Sequence, residues 1–429
     1  MGNENVKIDK GVEVMKRNWV ICGVALSLLL SGCGEREVKE IKSEKPKKTQ
    51  QKRQASQQAY IEKTMQRADR YAAQYDYDRA IKVLQPVRTK ETNLKTEEYE
   101  QKKQALLPVA KPVPHLFFHS LIADPKQAFD GDRKESGYDD YMVTQQEFER
   151  ILAALYKNDY VLVRPTDLAK EMNGKIVETP VRLPKGKHPL VLSQDDVNYY
   201  EYMKGDGFAK NLKVKDGKIV NAMVGKPDGA YDLVPIVDAF VQSHPDFSYK
   251  GAKGLLGITG YNGVLGYRSS YNQYGHNKQV ETARKQAKQT AIALKEDGWQ
   301  FASHTYGHIW VGKESVATIR ADLKRYKQDV APLIGKTTQL IYPYGSDVGD
   351  WHEYSGEKYR LLIDSGFRYF FNVDASQHAW KQVGPDYFRQ ARINVDGIRL
   401  RQAVAGKTSV LDPFFDAKKV FDPARPERK

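Results

Sequence analysis

His304 and His308 stand four residues apart in Phe301-Ala302-Ser303-His304-Thr305-Tyr306-Gly307-His308, and about a hundred residues earlier an acidic pair closes Ser193-Gln194-Asp195-Asp196. Two imidazoles at that spacing can meet one ion. A nearby carboxylate can complete three protein ligands and leave a position open for water. The sequence has two cysteines, Cys22 and Cys33. Both fall in the N-terminal segment, so a metal in the main body must use histidine and carboxylate.

Such groups work only where the backbone delivers them together. The run His188-Pro189-Leu190-Val191-Leu192-Ser193 reads as a buried strand that ends where the acidic pair begins. Gly298-Trp299-Gln300-Phe301-Ala302 reads as another, after a long amphipathic helix over residues 279–297, and His304 follows at once. Both motifs therefore sit at strand ends, where α/β folds gather their chemistry. A strand is also expected at Pro114-His115-Leu116-Phe117-Phe118-His119. Thr144, with Glu147 three residues on, is expected to cap a helix running toward Asn158, and a strand at Tyr160-Val161-Leu162-Val163 to follow it. Residues 199–230 hold five glycines among short polar runs and are expected to form a hairpin over the site mouth.

These motifs, in this order, resemble the polysaccharide deacetylases, the NodB-homology group of carbohydrate esterases. The resemblance spans roughly residues 114–400. It implies an α/β fold, a distorted (β/α) barrel. It also implies Asp195 as catalytic base, with Asp196, His304 and His308 as ligands of a divalent metal, Zn²⁺ first and Co²⁺, Ni²⁺ or Mn²⁺ as alternatives. The family's Arg-x-Pro-Tyr motif is approximated by Ile341-Tyr342-Pro343-Tyr344, where Tyr344 would line the groove with its backbone N–H toward the oxyanion. The arginine is missing, and Arg392, on an expected strand over residues 388–395, is the candidate cation to replace it. The Leu-x-His that commonly protonates the leaving amine is missing as well. His119 and His378 are the histidines considered in its place, with Asp374 near the same region. His119, Tyr199, Tyr344, Asp374 and His378 are the candidate substrate contacts. The activity implied is metal-dependent hydrolysis of N-acetyl groups on an extracellular or cell-wall polysaccharide; a glycan-binding surface lipoprotein with a degenerate site is the alternative.

The rest of the chain supplies context. Met15-Lys16-Arg17-Asn18 is a basic start, residues 19–30 are apolar, and Leu30-Ser31-Gly32-Cys33 resembles a bacterial lipobox. Residues 1–33 are thus expected to be an export signal, read from Met1 or Met15, with Cys33 lipidated. That places the protein on the outer face of the cytoplasmic membrane, held by its lipid. The formal charge is +14. On an exported lipoprotein such a charge points to anionic cell-wall polymers or lipid head groups, and without aromatic-basic interleaving nucleic acid is not expected. Residues 34–58 are polar enough to be a disordered tether. Residues 59–107 carry helical spacing and are expected to form a hairpin resembling one tetratricopeptide pair, serving as a spacer. The barrel domain is expected over residues 108–410, with a tail over 411–429.

Overall fold

The computed structural model describes residues 45–427, so the signal segment and Cys33 lie outside the described residues. Residues 1–56 form one unit, of which only the start of a helix is described. Residues 57–429 form the second unit, and apart from the first residues of the helix Lys45–Ala73 everything below belongs to it.

Seven parallel strands close into a barrel in chain order: β1 (His115–Phe118), β2 (His188–Gln194), β3 (Leu255–Ile258), β4 (Gln300–Ser303), β5 (Gln339–Ile341), β6 (Tyr369–Val373) and β7 (Phe388–Asn394). β7 pairs with β1 through Ile393↔Leu116, which completes the ring. A short strand, Tyr160–Leu162, adds to the outer side of β2. The strands are short and buried on both faces, as parallel strands under helices must be. One face, with Leu116, Phe118, Leu190, Leu192, Leu256, Ile258 and Phe301, packs in the main apolar cluster with the surrounding helices. The alternate residues point into the barrel. The helix over Gln145–Lys157 has its Thr144–Glu147 capping box, and the long helix runs Lys278–Glu296.

Four expectations about the periphery need correction. Lys45–Ala73 is a single helix, so the expected tether is helical from Lys45 onward. Its many Lys and Gln are adequate helix formers. The expected hairpin is three helices, completed by Tyr77–Leu84 and Lys90–Gln104. They are not a spacer. Ala68, Tyr75, Ala80, Leu84 and Tyr99 share one apolar cluster with the barrel residues Val161, Val191, Leu255, Ala302 and Phe388. So small a helical unit cannot bury its own apolar face alone and spends it on the barrel's strand-start end. The glycine-rich insertion forms a three-stranded antiparallel sheet, Ala209–Lys215, Lys218–Met223 and Lys226–Gly229. It packs on helices Leu233–Ser243 and Lys278–Glu296 rather than over the mouth. Finally, residues 411–427 are no tail: Leu411, Phe414, Phe415 and Val420 are buried in the main core.

Candidate active site

Inward-facing residues at the strand ends build the site. On β2 the two-residue repeat puts Val191, Ser193 and Asp195 on the barrel's inner side, and the Asp195 N–H bonds the Phe118 carbonyl at 2.8 Å, fixing where the strand stops. Asp196 then turns the chain with φ +57°, so consecutive carboxyl groups approach one centre from different angles. His304 follows β4. Its Nδ1 lies 2.9 Å from the Ile341 carbonyl, and a carbonyl only accepts. The ring proton is therefore on Nδ1, and Nε2 offers its lone pair inward. His304 Nε2 stands 3.9 Å from Asp195 Oδ2 and 3.9 Å from Asp196 Oδ1, with His308 Nε2 3.8 Å from the same Asp196 oxygen.

Asp196, His304 and His308 offer ligand atoms all within 4.8 Å of one another, a group that could hold one ion. Two imidazole nitrogens and a carboxylate oxygen, three donors with room for a fourth, suit a catalytic Zn²⁺-type site. Burial drives the His308 imidazole down to about 4, against the opposing pull of Asp196, which keeps it neutral, as a ligand must be. Tyr200 donates its hydroxyl to Asp196 Oδ1 at 2.6 Å, and burial together with Asp196 raises that phenol well above its usual range, so it stays a donor.

Asp195 is held differently. Arg392 Nη1 and Nη2 donate to its two oxygens at 2.7 and 2.9 Å, so the expected replacement for the missing arginine reaches the carboxylate from β7. Burial alone would raise this acid. The Arg392 guanidinium outweighs it and leaves Asp195 well below the usual carboxylate range. Gly257 makes the room, since a Cβ there would lie 3.4 Å from Asp195 Oδ1 and 3.2 Å from Ile341 Cδ1.

Beneath the pair runs a directional hydrogen-bond chain. Gln390 donates its amide to the Val113 carbonyl at 2.6 Å, so its oxygen faces His115 Nδ1 at 3.0 Å. His115 therefore carries its proton on Nδ1 and accepts at Nε2 from the Ser193 hydroxyl, 2.8 Å away, and the Ser193 oxygen in turn accepts from Arg392 Nη1 at 3.3 Å. Burial, then Arg392, push His115 well below its ordinary value, consistent with the neutral ring this chain needs.

The loop from His304 to His308 is not helical. Thr305 and His308 have φ of +60° and +53°, and Asp322 accepts the N–H groups of Tyr306 and Gly307, each at 2.7 Å. Tyr344, also at positive φ (+58°), is exposed. It stacks on Trp310 with centroids 4.0 Å apart and meets His308 edge-on at 4.5 Å. With Asp196, four non-glycine residues of one site occupy the left-handed region, each at a cost of about 1–3 kcal/mol.

His119 ends β1, its Nδ1 3.1 Å from the Tyr141 carbonyl, near enough to Asp195 and His308 to affect both electrostatically. Asp374 lies just past β6, with its N–H on the Arg392 carbonyl. Two expected substrate contacts are corrected. Tyr199 is only 2 % exposed and takes a hydrogen bond from Asn221, so no sugar can stack on it. Its neighbour Tyr200, on Asp196, is the residue at the site. His378 is exposed, and its ring meets Phe414 of the C-terminal segment, outside the cluster. Sequence reading missed Ser193, His115, Trp310 and Asp322 as site residues. Strand parity alone would have placed Ser193 beneath Asp195, whereas no local signal marks Asp322.

The polysaccharide deacetylase family matches residues 271–366, a stretch that holds His304, His308 and Tyr344 but neither Asp195, Asp196 nor Arg392. No curated protein matches the chain. A deacetylase from Streptococcus pyogenes in complex with acetate superposes at 14% identity and TM-score 0.37, covering 69% of this chain and 98% of that one. A polysaccharide deacetylase from Bacillus cereus gives 14% and 0.37, over 68% of each chain.

Proposed function

We propose that this barrel, which resembles the polysaccharide deacetylases, removes N-acetyl groups from an extracellular or cell-wall polysaccharide with the help of a divalent metal, Zn²⁺ before Co²⁺, Ni²⁺ or Mn²⁺. The observation that carries the reading is the setting of Asp195: both its oxygens are held by Arg392, while one stands 3.9 Å from His304 Nε2. Asp196, His304 and His308 would hold the ion, which when bound supplies positive charge that polarises an amide carbonyl and acidifies water. Asp195 accepts the proton of the attacking water and, once protonated, returns it to the departing sugar nitrogen. Arg392 keeps Asp195 ionised beforehand and fixes its direction. The exposed Trp310–Tyr344 pair beside His308 offers an apolar face for a pyranose ring. The backbone N–H of Tyr344 remains the proposed oxyanion donor.

Lipidation at Cys33, anchorage on the outer face of the cytoplasmic membrane and attraction to anionic cell-wall polymers are part of the same proposal. The test is acetate release by the purified, metal-restored protein across a panel of N-acetylated glycans including peptidoglycan fragments. His304→Ala and His308→Ala are each expected to lose metal and activity together, and Asp195→Asn to keep metal and lose turnover. No acetate from any glycan would sink the reading. Tight glycan binding with metal present and no turnover would favour a binding lipoprotein instead.

A further inference from the structure

We propose that a second cleft, at the opposite end of the barrel from the metal cluster, binds a linear polyanion carrying repeated phosphate or carboxylate groups. The cleft measures ≈ 1330 Å³. Three parts of the chain wall it: the N-terminal helices through Arg67 and Arg70, the antiparallel sheet through Lys218, and the strand-start end of the barrel through Lys250 and, in the last turn of the long helix, Lys295. Lys250 precedes β3 and Gly298 precedes β4, which puts the cleft a strand length away from His304.

The charge balance inside it is lopsided. Eight lysines and arginines line the walls against five acids, but pairing removes most of the acids. Asp76 pairs with Arg79, Asp167 with Arg164, and both Asp238 and Asp297 with the buried Lys253. Arg67, Arg70, Lys218, Lys250 and Lys295 have no ion pair among the described residues, and Glu296 is the one lining acid left without a cation. Unpaired cations along one concave surface repel one another unless counter-anions enter, and a polyanion that displaces small counterions gains from the exchange. Lys295 adds least, since its Nζ sits beside Gly335 and the Phe301 ring, outside the lining residues. Arg67 and Arg70, three residues apart on one helix, present planar forks suited to phosphate or carboxylate oxygens.

The shape selects a chain over a sheet of charge, because a flat lipid surface cannot follow walls made by three separate elements. It also disfavours runs of stacked nucleobases, since Tyr71 is the sole aromatic ring among the lining residues and one of its faces is already taken by Arg79, 5.0 Å from its centroid. Occupied this way, the cleft would hold the protein on an anionic polymer while the mouth with Trp310 and Tyr344 stays open. The inference does not depend on the deacetylase reading and would stand for an inactive protein.

The experiment measures binding of the full chain to fluorescent polyphosphate and to poly-L-glutamate at about 0.15 M salt, the two arms separating phosphate from carboxylate. Arg67→Gln/Arg70→Gln/Lys218→Gln should weaken binding at least tenfold in the preferred arm and leave acetate release from a small soluble substrate unchanged. A control of equal charge, Lys278→Gln/Lys285→Gln/Lys288→Gln on the exposed face of the long helix, should lose less than threefold. These side chains are exposed, so matching melting curves will show that both variants fold. Equal losses in the two variants, no binding in either arm, or tighter binding of a single-stranded oligonucleotide of the same length would each overturn the proposal.

Discussion

Asp195 and Arg392 are both fully enclosed, with side-chain exposures of 4% and 0%, and a buried ion pair of this kind holds its worth only while both partners remain. Removing the cation strands a buried carboxylate, at a cost of about 3–5 kcal/mol. The catalytic sign follows from the same geometry. Arg392 depresses the Asp195 acid, so without it the folded-state value rises and the base protonates at a higher pH. Arg392→Met is therefore expected to move the acidic limb of the kcat/KM profile upward, along with a loss of stability in urea. A limb that stays in place would remove Arg392 from the site. The His115–Ser193 chain acts through this pair by aligning one guanidinium N–H, so it is a positioning device and touches no substrate.

At the scale of elements, metal-ligand geometry is stored in a loop. His304 is anchored by β4, but His308 reaches the cluster only because residues 305–308 adopt a bend with two positive φ values, and Asp322 on the following helix, Val316–Asp329, ties that bend by accepting two backbone N–H groups. Outer contacts of this kind usually change metal affinity by about 10- to 100-fold. Asp322→Ala should weaken metal binding by that order in a chelator competition while the barrel stays folded. An unchanged affinity would mean that His304 and His308 are held without the bend.

On the scale of the whole molecule, the C-terminal segment closes the structure. Leu411, Phe414, Phe415 and Val420 fill the main core. Arg425 pairs with Glu147 at 2.7 Å and Asp139 at 2.9 Å, next to the cap of the helix Gln145–Lys157. Four large apolar side chains contribute about 1.5–3 kcal/mol each, a sum comparable with the total stability of about 5–15 kcal/mol expected for a domain. A chain ending at Ser409 is expected to be insoluble or to unfold near room temperature; a soluble product melting like the full protein would contradict this. For the proposed anchor, Cys33→Ala should leave the protein unprocessed or released from membranes. Unchanged fractionation with normal N-terminal cleavage would exclude it.

Local pattern was enough to read the ends of β2 and β4, the Thr144 cap, the helix before β4, and a histidine pair with an acidic pair as a possible ion site, because residue type and period encode backbone conformation and the face a side chain takes. The choice of Asp196, His304 and His308 as the ligands came from the family resemblance, which also added a role for Asp195. Which distant residues meet is a property of barrel closure. Arg392 lies 197 positions from Asp195, and pairing of β7 with β1 brings them together, a register that no short window specifies. For the same reason Tyr199 and Tyr200 read alike in sequence but part in the fold, one going into the core and the other onto Asp196. The N-terminal helices and residues 411–427 read as a spacer and a tail because each segment is too short to bury its apolar residues against itself. Only the folded barrel, with open ends to cover, gives those residues a surface on which burial outweighs the entropy of ordering them.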